Sequence, residues 1–316
     1  MSPPTVSGAG PVLALVGPTA AGKTAVSLEL ARRLGAEIVS VDSMLVYRGM
    51  DIGTAKPTRD QRARIPHHLI DVAEPSEPFS VARFQELARE AVAAIRDRGH
   101  RVLLVGGTGL YLRAIVDDLA FPATDAGVRA SLETEAERVG AGAMHERLAM
   151  SDPAAAAKIE PANRRRTIRA LEVAELTGRP FSSFSRAWDT FDPSGVQAAG
   201  IAVPREVLAR RIEARIAEML EAGSLEEVRG LVARGLGGWL TSSQAIGYAE
   251  FARHLADELT LEEAIAGTEK RTKALARRQT AFLRRDPRIR WFEAGDDGAP
   301  ALTDDIAEHL AGRPDG

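Results

Sequence analysis

Residues 12–24 read Val-Leu-Ala-Leu-Val-Gly-Pro-Thr-Ala-Ala-Gly-Lys-Thr, and this stretch decides the fold. Its first five residues form an apolar run with the length of a buried strand. The next eight match the pattern G-x-x-x-x-G-K-[ST], in which a glycine-rich turn leads into a helix and cradles phosphate groups. A glycine turn that only joins strand and helix is the alternative. The predicted binding site for a di- or triphosphate consists of Gly17, Pro18, Thr19, Ala20, Ala21, Gly22, Lys23 and Thr24.

Strand and helix patterns continue after this P-loop. The helix that begins near Lys23 is predicted to end at Gly35, and a second strand follows at Glu37 to Val41. Ser80 is a candidate N-cap for a helix that ends at Gly99, before a third strand at Arg101 to Val105. This β-α-β-α-β order indicates a parallel sheet. The polar, proline-rich stretch between the second strand and Ser80 is predicted to be a functional loop outside the core.

The strand signal disappears at about Pro122, and short helices are predicted to begin at Asp152-Pro153 and Pro161-Ala162-Asn163. Later patterns predict a strand at Gln197 to Val203, helices at about 204–222, 242–256, 260–283 and 303–310, and a last strand at Ile289 to Phe292. We therefore predict an α/β fold: a P-loop NTPase-like parallel sheet flanked by helices, with a helical insertion domain. The core is assigned to residues 1–121 and 191–316, and the insertion to 122–190.

Composition excludes several classes of protein. The 316 residues carry a net charge of −3, are 45% hydrophobic and 27% charged, and include no cysteine. These values exclude a disordered, collagen-like or coiled-coil chain. The lack of cysteine excludes disulfides, zinc fingers, iron–sulfur clusters and thiol catalysis. Since the N-terminus also lacks a basic region and a long apolar run, we expect a cytoplasmic protein without a membrane segment.

Two further segments are candidates for chemistry beside the P-loop. Asp42 directly follows the second strand, where an acid reaches Mg²⁺ or a nucleophile; a helix cap is the alternative. Gly106-Gly107-Thr108-Gly109 ends the third strand and allows a ligand to approach the backbone closely, although a plain tight turn is equally compatible. His67 and His68 follow Pro66 and are predicted to lie in a loop, without the spacing of a helical metal site.

Basic residues are unevenly distributed. Between Lys270 and Arg290 there are nine Lys or Arg residues and one acid, Asp286. A second cluster consists of Arg164, Arg165, Arg166 and Arg169. In a chain of negative net charge, this local excess favours a polyanionic partner larger than a nucleotide. Solvated helix faces are the alternative.

Several longer runs, in order along about residues 12–292, resemble one family closely. They are the P-loop, Asp42-Ser43 with the run from Val46 to Pro57 (VYRGMDIGTAKP), Pro66 to Asp71 (PHHLID), Gly106 to Tyr111 (GGTGLY), Arg169 to Glu172 (RALE), Ala245 to Tyr248 (AIGY) and Arg278-Gln279. In these runs the chain resembles the bacterial tRNA dimethylallyltransferases, also called tRNA isopentenyltransferases.

The resemblance implies transfer of a dimethylallyl group from dimethylallyl diphosphate to the N6 amine of the adenine 3′-adjacent to a tRNA anticodon, with release of diphosphate. It implies that Asp42 is the general base and that Lys23 and Thr24 hold the diphosphate with Mg²⁺. Asp42 is a second candidate metal ligand, and Arg215 is the arginine that supports the leaving group. The resemblance implies two partners, dimethylallyl diphosphate and the tRNA anticodon stem-loop. We expect the enzyme to be a monomer.

The resemblance also implies a set of tRNA-binding residues. They are Asp42, Ser43, Met44, Leu45, Thr108, Arg129, Arg165, Arg166, Thr167, Ile168, Arg169, Gln244, Ala245, Ile246, Gly247, Tyr248, Ala249, Arg277, Arg278, Gln279 and Arg284. The chain departs from the family pattern at Lys273, Phe282 and Arg165, where the family commonly has Arg, Trp and Gln. These departures concern the grip on tRNA rather than the chemistry.

Three other functions share part of the sequence signal. A small-molecule or nucleotide kinase is compatible with the first 120 residues, and ATP-dependent phosphoryl transfer would reveal it. A prenyltransferase acting on free adenylate would have little use for the basic helices. An RNA-binding protein without activity would leave the P-loop and Asp42 without a role.

Overall fold

The chain forms a parallel sheet with helices on both faces. The computed structural model describes residues 10–117, 119–184, 190–193, 195–295 and 298–312, so the first nine residues of the predicted core lie outside it. The strands are β1 (Val12–Val16), β2 (Ala36–Ser40), β3 (His67–His68), β4 (Arg101–Gly106), β5 (Val196–Ala202) and β6 (Ile289–Glu293). They pair in the order β3-β2-β4-β1-β5-β6, and every pairing is parallel. The predicted fold class is confirmed.

The helices are α1 (Lys23–Leu34), α2 (Arg59–Arg64), α3 (Val81–Asp97), α4 (Gly109–Val116), α5 (Ala126–Ser151), α6 (Pro153–Ala156), α7 (Arg164–Thr177), α8 (Arg205–Glu221), α9 (Ser224–Ala233), α10 (Tyr248–Leu255), α11 (Leu261–Leu283) and α12 (Thr303–Ala311). Within the described residues, no helix is both long and apolar enough to span a bilayer.

Alternation along the strands divides the core into two layers. Leu13 and Leu15 pack with α1 and α12 on one face, whereas Val12, Ala14 and Val16 pack with α3 and α4 on the other. Because both faces of β1 are covered, all five of its residues are buried, which explains its unbroken apolar run. Because every pairing is parallel, the carboxyl ends of the strands lie at one edge of the sheet, where the P-loop begins.

The proline-rich stretch after β2 differs from its prediction. Val46, Tyr47 and Met50 are fully buried and form a third apolar cluster with residues of α9, α10 and α11. The prediction that this stretch lies outside the core is wrong, because its few apolar side chains meet helices that follow much later in the chain. His67 and His68, predicted to lie in a loop, form the short edge strand β3 beside Ile38 and Val39.

Some helix assignments also change. The sequence does not predict helices α2, α4 and α9. The helix expected at 242–256 begins only at Tyr248, because Gly247 has a φ of 90° and interrupts it after a single turn at Ser242–Gln244. The positive φ is unfavourable inside a right-handed helix and is readily adopted by glycine.

The chain divides into two compact units, one of Met1–Asp118 with Asp192–Gly316 and one of Leu119–Phe191. The second unit is helical and has its own apolar core, which includes Leu132, Met144 and Leu148. Two of its helices start where the sequence predicts: Asp152 caps α6 by accepting a hydrogen bond from Ala155 N (3.0 Å), and Asn163 caps α7 by accepting one from Arg166 N (3.2 Å).

Candidate active site

The P-loop connects the buried end of β1 to the first turn of α1. Gly22 has a φ of 91°, and a Cβ at this position would lie 2.8 Å from the Cβ of Ala299, so only glycine fits without strain. Lys23 Nζ donates to the backbone oxygens of Gly17 (2.9 Å) and Pro18 (2.7 Å). The Lys23 ammonium group is thus held against the P-loop, where we expect it to bind a phosphate group.

Gln279 of α11 reaches the same loop. Its Oε1 accepts a hydrogen bond from Thr19 N at 2.9 Å, and its amide lies so close to Gly107 that a Cβ there would be 2.5 Å away. The glycines after β4 therefore allow the side chain of Gln279 to approach the backbone closely. The Gln279 side chain thus supports the P-loop, and its contact with tRNA, implied by the family resemblance, stays a prediction.

Asp42 follows β2 at the same edge of the sheet. Its Oδ1 accepts a hydrogen bond from Met44 N at 2.8 Å, and the next helix, α2, begins only at Arg59. Asp42 therefore stabilises a turn and does not cap a helix, so that alternative is excluded. The second carboxylate oxygen, Oδ2, is not used by this turn.

Ser40 was missed by the sequence analysis. It is 3% exposed, and its Oγ is buried without a hydrogen-bond partner among the described residues. Ser40 is the last residue of β2 and, like Asp42, lines the cavity next to the P-loop. A serine at the carboxyl end of a strand beside a P-loop is the sequence signal for this position.

Electrostatic interactions join three of the predicted site residues. Burial lowers the pKa of Lys23 to about 8; the Asp42 carboxylate opposes this shift and the Arg215 guanidinium adds to it. Burial also lowers the pKa of Arg215, which lies on α8, and Asp42 again opposes the shift. The charges of Asp42, Lys23 and Arg215 therefore interact, which agrees with the position of all three residues in the lining of one cavity.

The cavity has a volume of about 150 Å³. Its polar lining comes mainly from the P-loop, the end of β2 and the helices α1, α8 and α11, and its apolar lining comes mainly from β2, β4 and the segments before and after α2. The lining residues are Thr19, Ala20, Gly22, Lys23, Thr24, Ser27, Ile38, Ser40, Asp42, Leu45, Thr54, Ala55, Pro57, His67, Ile70, Val105, Gly106, Arg215 and Gln279. Charged groups that suit a phosphate and apolar groups that suit a small hydrocarbon are therefore both present in the lining.

Both histidines make contacts within the protein. His67 Nδ1 donates to Ile65 O at 2.7 Å, and His68 Nε2 lies 2.6 Å from the Glu37 carboxylate. Burial lowers the pKa of His67, which keeps it neutral at physiological pH. Among the described residues, no group of three or more His, Cys, Asp or Glu side chains is arranged to hold a metal ion.

The basic residues of α11 differ in availability. Arg277, Arg278 and Arg284 are exposed, and the Arg284 guanidinium lies 5.4 Å from the centre of the Trp291 ring. Lys273 instead forms ion pairs with Glu213 of α8 and Glu269 of α11. The exposed arginines are the residues of this helix best placed to meet a polyanion.

In the helical unit, two of the predicted tRNA-binding arginines have a structural contact. The fully buried carboxylate of Glu172 accepts hydrogen bonds from Arg129 (2.7 Å) and Arg169 (2.8 Å). Arg169 also donates to the backbone oxygens of Pro122 and Ala123. Both guanidinium groups therefore brace the start of α5 against α7.

Four other side chains predicted to contact tRNA are buried. Thr167 and Ile168 pack inside the helical unit, and Ala245 and Tyr248 pack against the stretch after β2, each with at most 4% exposure. Their burial favours a structural role for these side chains, and the tRNA contact at these four positions stays a prediction. Their neighbours Arg165, Arg166 and Gln244 are exposed.

Comparison with known proteins gives a consistent picture. The family model described as IPP transferase matches residues 45–286. A tRNA dimethylallyltransferase of Streptomyces coelicolor is 50% identical over 285 residues, which cover 90% of each chain. One of Moorella thermoacetica is 47% identical and covers 97% of both chains. The crystal structure of a tRNA isopentenylpyrophosphate transferase from Bacillus halodurans has a TM-score of 0.69 and 41% identity, with 96% of each chain covered.

These matches span both structural units and include the cavity residues after β2. With relatives at this level of identity over nearly its whole length, the chain belongs to the IPP transferase family.

Proposed function

We propose that this protein transfers the dimethylallyl group of dimethylallyl diphosphate to the N6 amine of the adenine 3′-adjacent to the anticodon of tRNA. The observation that carries the proposal is the convergence of the P-loop, Asp42 and Arg215 on one cavity, in a chain whose relatives are named tRNA dimethylallyltransferases. The reaction forms a bond between N6 and C1 of the prenyl group and breaks the bond between C1 and the diphosphate oxygen.

Asp42 supports the nucleophile. An exocyclic adenine amine is a weak nucleophile because its lone pair is delocalised into the ring, so a base must take a proton as the new bond forms. The turn hydrogen bond from Met44 N fixes the orientation of the Asp42 carboxylate through Oδ1. We propose that Oδ2 receives the N6 proton.

Lys23, Arg215 and the P-loop amides support the leaving group. Negative charge grows on the diphosphate as the C1–O bond breaks, and fixed positive charge stabilises this state more than the ground state. Lys23 already lies against the backbone oxygens of Gly17 and Pro18, and Gln279 holds the amide of Thr19. These contacts hold the loop and the Lys23 ammonium group in place.

The donor set fits a magnesium ion. Thr24 and Asp42 line the cavity together with Ser40, whose buried hydroxyl is without a partner in the described structure. Hard oxygen donors of this kind, too few for a complete protein cage, suit Mg²⁺, which retains water and phosphate ligands. We propose that Thr24 holds the ion, with Asp42 as a second ligand. When bound, Mg²⁺ neutralises charge on the departing diphosphate.

The adenine must leave its stack to reach Asp42. Extrusion of a base costs a few kcal/mol, and contacts to the RNA backbone offset this cost. We propose that Arg277, Arg278 and Arg284 supply such contacts to the anticodon stem-loop. We also propose that the enzyme is a cytoplasmic monomer; sedimentation of the protein tests its oligomeric state.

Incubation with unmodified tRNA and labelled dimethylallyl diphosphate tests the proposed function. Nucleoside analysis should place the label in N6-dimethylallyladenosine next to the anticodon, with one diphosphate released for each group transferred. Label in another nucleoside, or ATP-dependent phosphoryl transfer without prenylation, would contradict the proposal.

The binding of dimethylallyl diphosphate should weaken in mildly alkaline solution. Lys23 has a pKa of about 8 in the free protein, so it loses its charge as the pH rises through 8, well below the ordinary lysine value. If only the charged form binds, the dissociation constant at pH 9 should be roughly tenfold higher than at pH 7. Titration calorimetry at several pH values measures this change. A Lys23→Arg variant, charged throughout, should show a flat profile over this range.

Replacing Arg277 and Arg278 of α11 by alanine should make the affinity for tRNA depend less on the salt concentration. Each arginine that binds a phosphate group releases a counterion. The slope of log affinity against log salt should therefore shrink by about 0.7–0.9 for each phosphate interaction that Arg277→Ala/Arg278→Ala removes. Dimethylallyl diphosphate affinity should stay unchanged. Arg83→Ala is the matched control, since Arg83 is an exposed helical arginine paired with Glu86. An unchanged slope in the double variant would show that both arginines face solvent and do not bind tRNA phosphates.

A further inference from the structure

The carboxylate of Glu227 captures three successive backbone N–H groups. Glu227 lies in the first turn of α9, and its Oε2 accepts hydrogen bonds from Asp51 N (2.8 Å) and Ile52 N (2.9 Å). Its Oε1 accepts one from Gly53 N (3.1 Å) and another from the hydroxyl of Tyr248 (2.5 Å). All four donors thus converge on one side chain, whose charge strengthens each bond.

These contacts fix the beginning of residues 50–57, which we name the wall segment. Thr54, Ala55 and Pro57 of this segment line the cavity. Gly53 lies flat against the buried ring of Tyr248, where a Cβ would be 2.7 Å from a ring carbon. The wall segment therefore cannot move toward α10 without a clash, and Glu227 prevents it from moving away.

A buried lysine fixes the other end of the wall segment. The Lys56 side chain is 2% exposed, and its Nζ donates to Tyr47 O (2.7 Å), Asp51 Oδ1 (2.5 Å) and Asp71 Oδ1 (2.6 Å). Between the two attachments, Ala55 has a φ of 50°, a conformation that costs energy for a residue with a Cβ. Such strain persists only where the surroundings hold it, and here they are Glu227 and Lys56.

We infer that Glu227 is a positioning residue that shapes the prenyl end of the cavity and so determines the preference for a five-carbon donor. This inference rests on the proposed function. A small rigid pocket rejects a longer chain because added methylenes would overpack it, whereas a wall that relaxes loses this discrimination. Glu227 acts through the wall segment, so the prenyl diphosphate should be affected and the tRNA should not.

Glu227→Gln tests the inference, because glutamine offers one acceptor oxygen where the carboxylate offers two. We expect KM for dimethylallyl diphosphate to rise about tenfold, because hydrogen bonds to a charged acceptor are stronger than those to a neutral one. We expect the ratio of kcat/KM for dimethylallyl over geranyl diphosphate to fall by about the same factor, with KM for tRNA unchanged. Glu226→Gln is the matched control, since Glu226 is the neighbouring, exposed glutamate, paired with Arg229. Tyr248→Phe, which keeps the ring and removes one donor, should give a smaller change of the same kind.

Hydrogen exchange of the amides of residues 51–53 gives a readout that is independent of activity. In Glu227→Gln these amides should exchange faster than in the wild type, and in Glu226→Gln they should not. Unchanged exchange, or an unchanged donor ratio despite faster exchange, would overturn the inference. A lower melting temperature with equal changes in both KM values would also overturn it. Absence of prenyl transfer by the wild type would instead refute the proposed function, and exchange would still show whether Glu227 holds the wall segment.

Discussion

Replacement of Asp42 by asparagine should lower turnover by about 10²–10⁴-fold, the usual contribution of a positioned acid–base group. Asparagine has nearly the same shape, and its Oδ1 can still accept the hydrogen bond from Met44 N that the aspartate accepts at 2.8 Å. The turn after β2 should therefore survive while the capacity to take a proton is lost. Single-turnover measurement of prenyl transfer with saturating substrates isolates this step.

Asp42→Ala provides the comparison, because it removes both the base and the turn hydrogen bond. If Asp42 acts as a base, asparagine and alanine should reduce turnover to a similar extent, with tRNA affinity little changed. If its role is only to hold the turn, asparagine should retain activity within about threefold of the wild type, whereas alanine should not. That second pattern would remove Asp42 from the proposed mechanism.

Loss of either positive charge beside the diphosphate should have the next largest effect. Lys23→Ala and Arg215→Ala should each reduce turnover by about 10²–10³-fold, the range measured when one group that stabilises developing negative charge is removed. The two cations influence each other and Asp42, since Asp42 opposes the lowered pKa of both. The double variant should consequently lose less than the product of the single effects.

Arg210→Ala is the matched control for Arg215, because Arg210 is an exposed arginine on the same helix, α8. It should leave turnover and the affinity for dimethylallyl diphosphate unchanged. An increase in KM for tRNA alone, in either Lys23→Ala or Arg215→Ala, would contradict their placement at the diphosphate. A full set of kcat and KM values for both substrates distinguishes these outcomes.

The sequence alone predicted the parallel sheet and the P-loop, because these depend on local patterns. A five-residue apolar run before a glycine-rich turn has one stable solution, a buried strand joined to a helix N-terminus. The caps at Ser80, Asp152 and Asn163 were also predictable, since each side chain bonds a backbone N–H within three residues of itself. The family was predicted from runs of residues, and the comparisons confirm it.

Tertiary structure alone decided which distant residues meet. The contact between Gln279 and Thr19 joins positions 260 residues apart, and Glu227 lies 174 to 176 residues from the amides that it holds. Arginines that look alike in the sequence also separate here: Arg169 is bonded to a buried carboxylate, while Arg277 faces solvent. Local patterns specify strands, turns and caps because their energies come from neighbours in the chain. The cavity wall and the partner of each charge depend instead on packing between helices, which short-range sequence patterns do not encode.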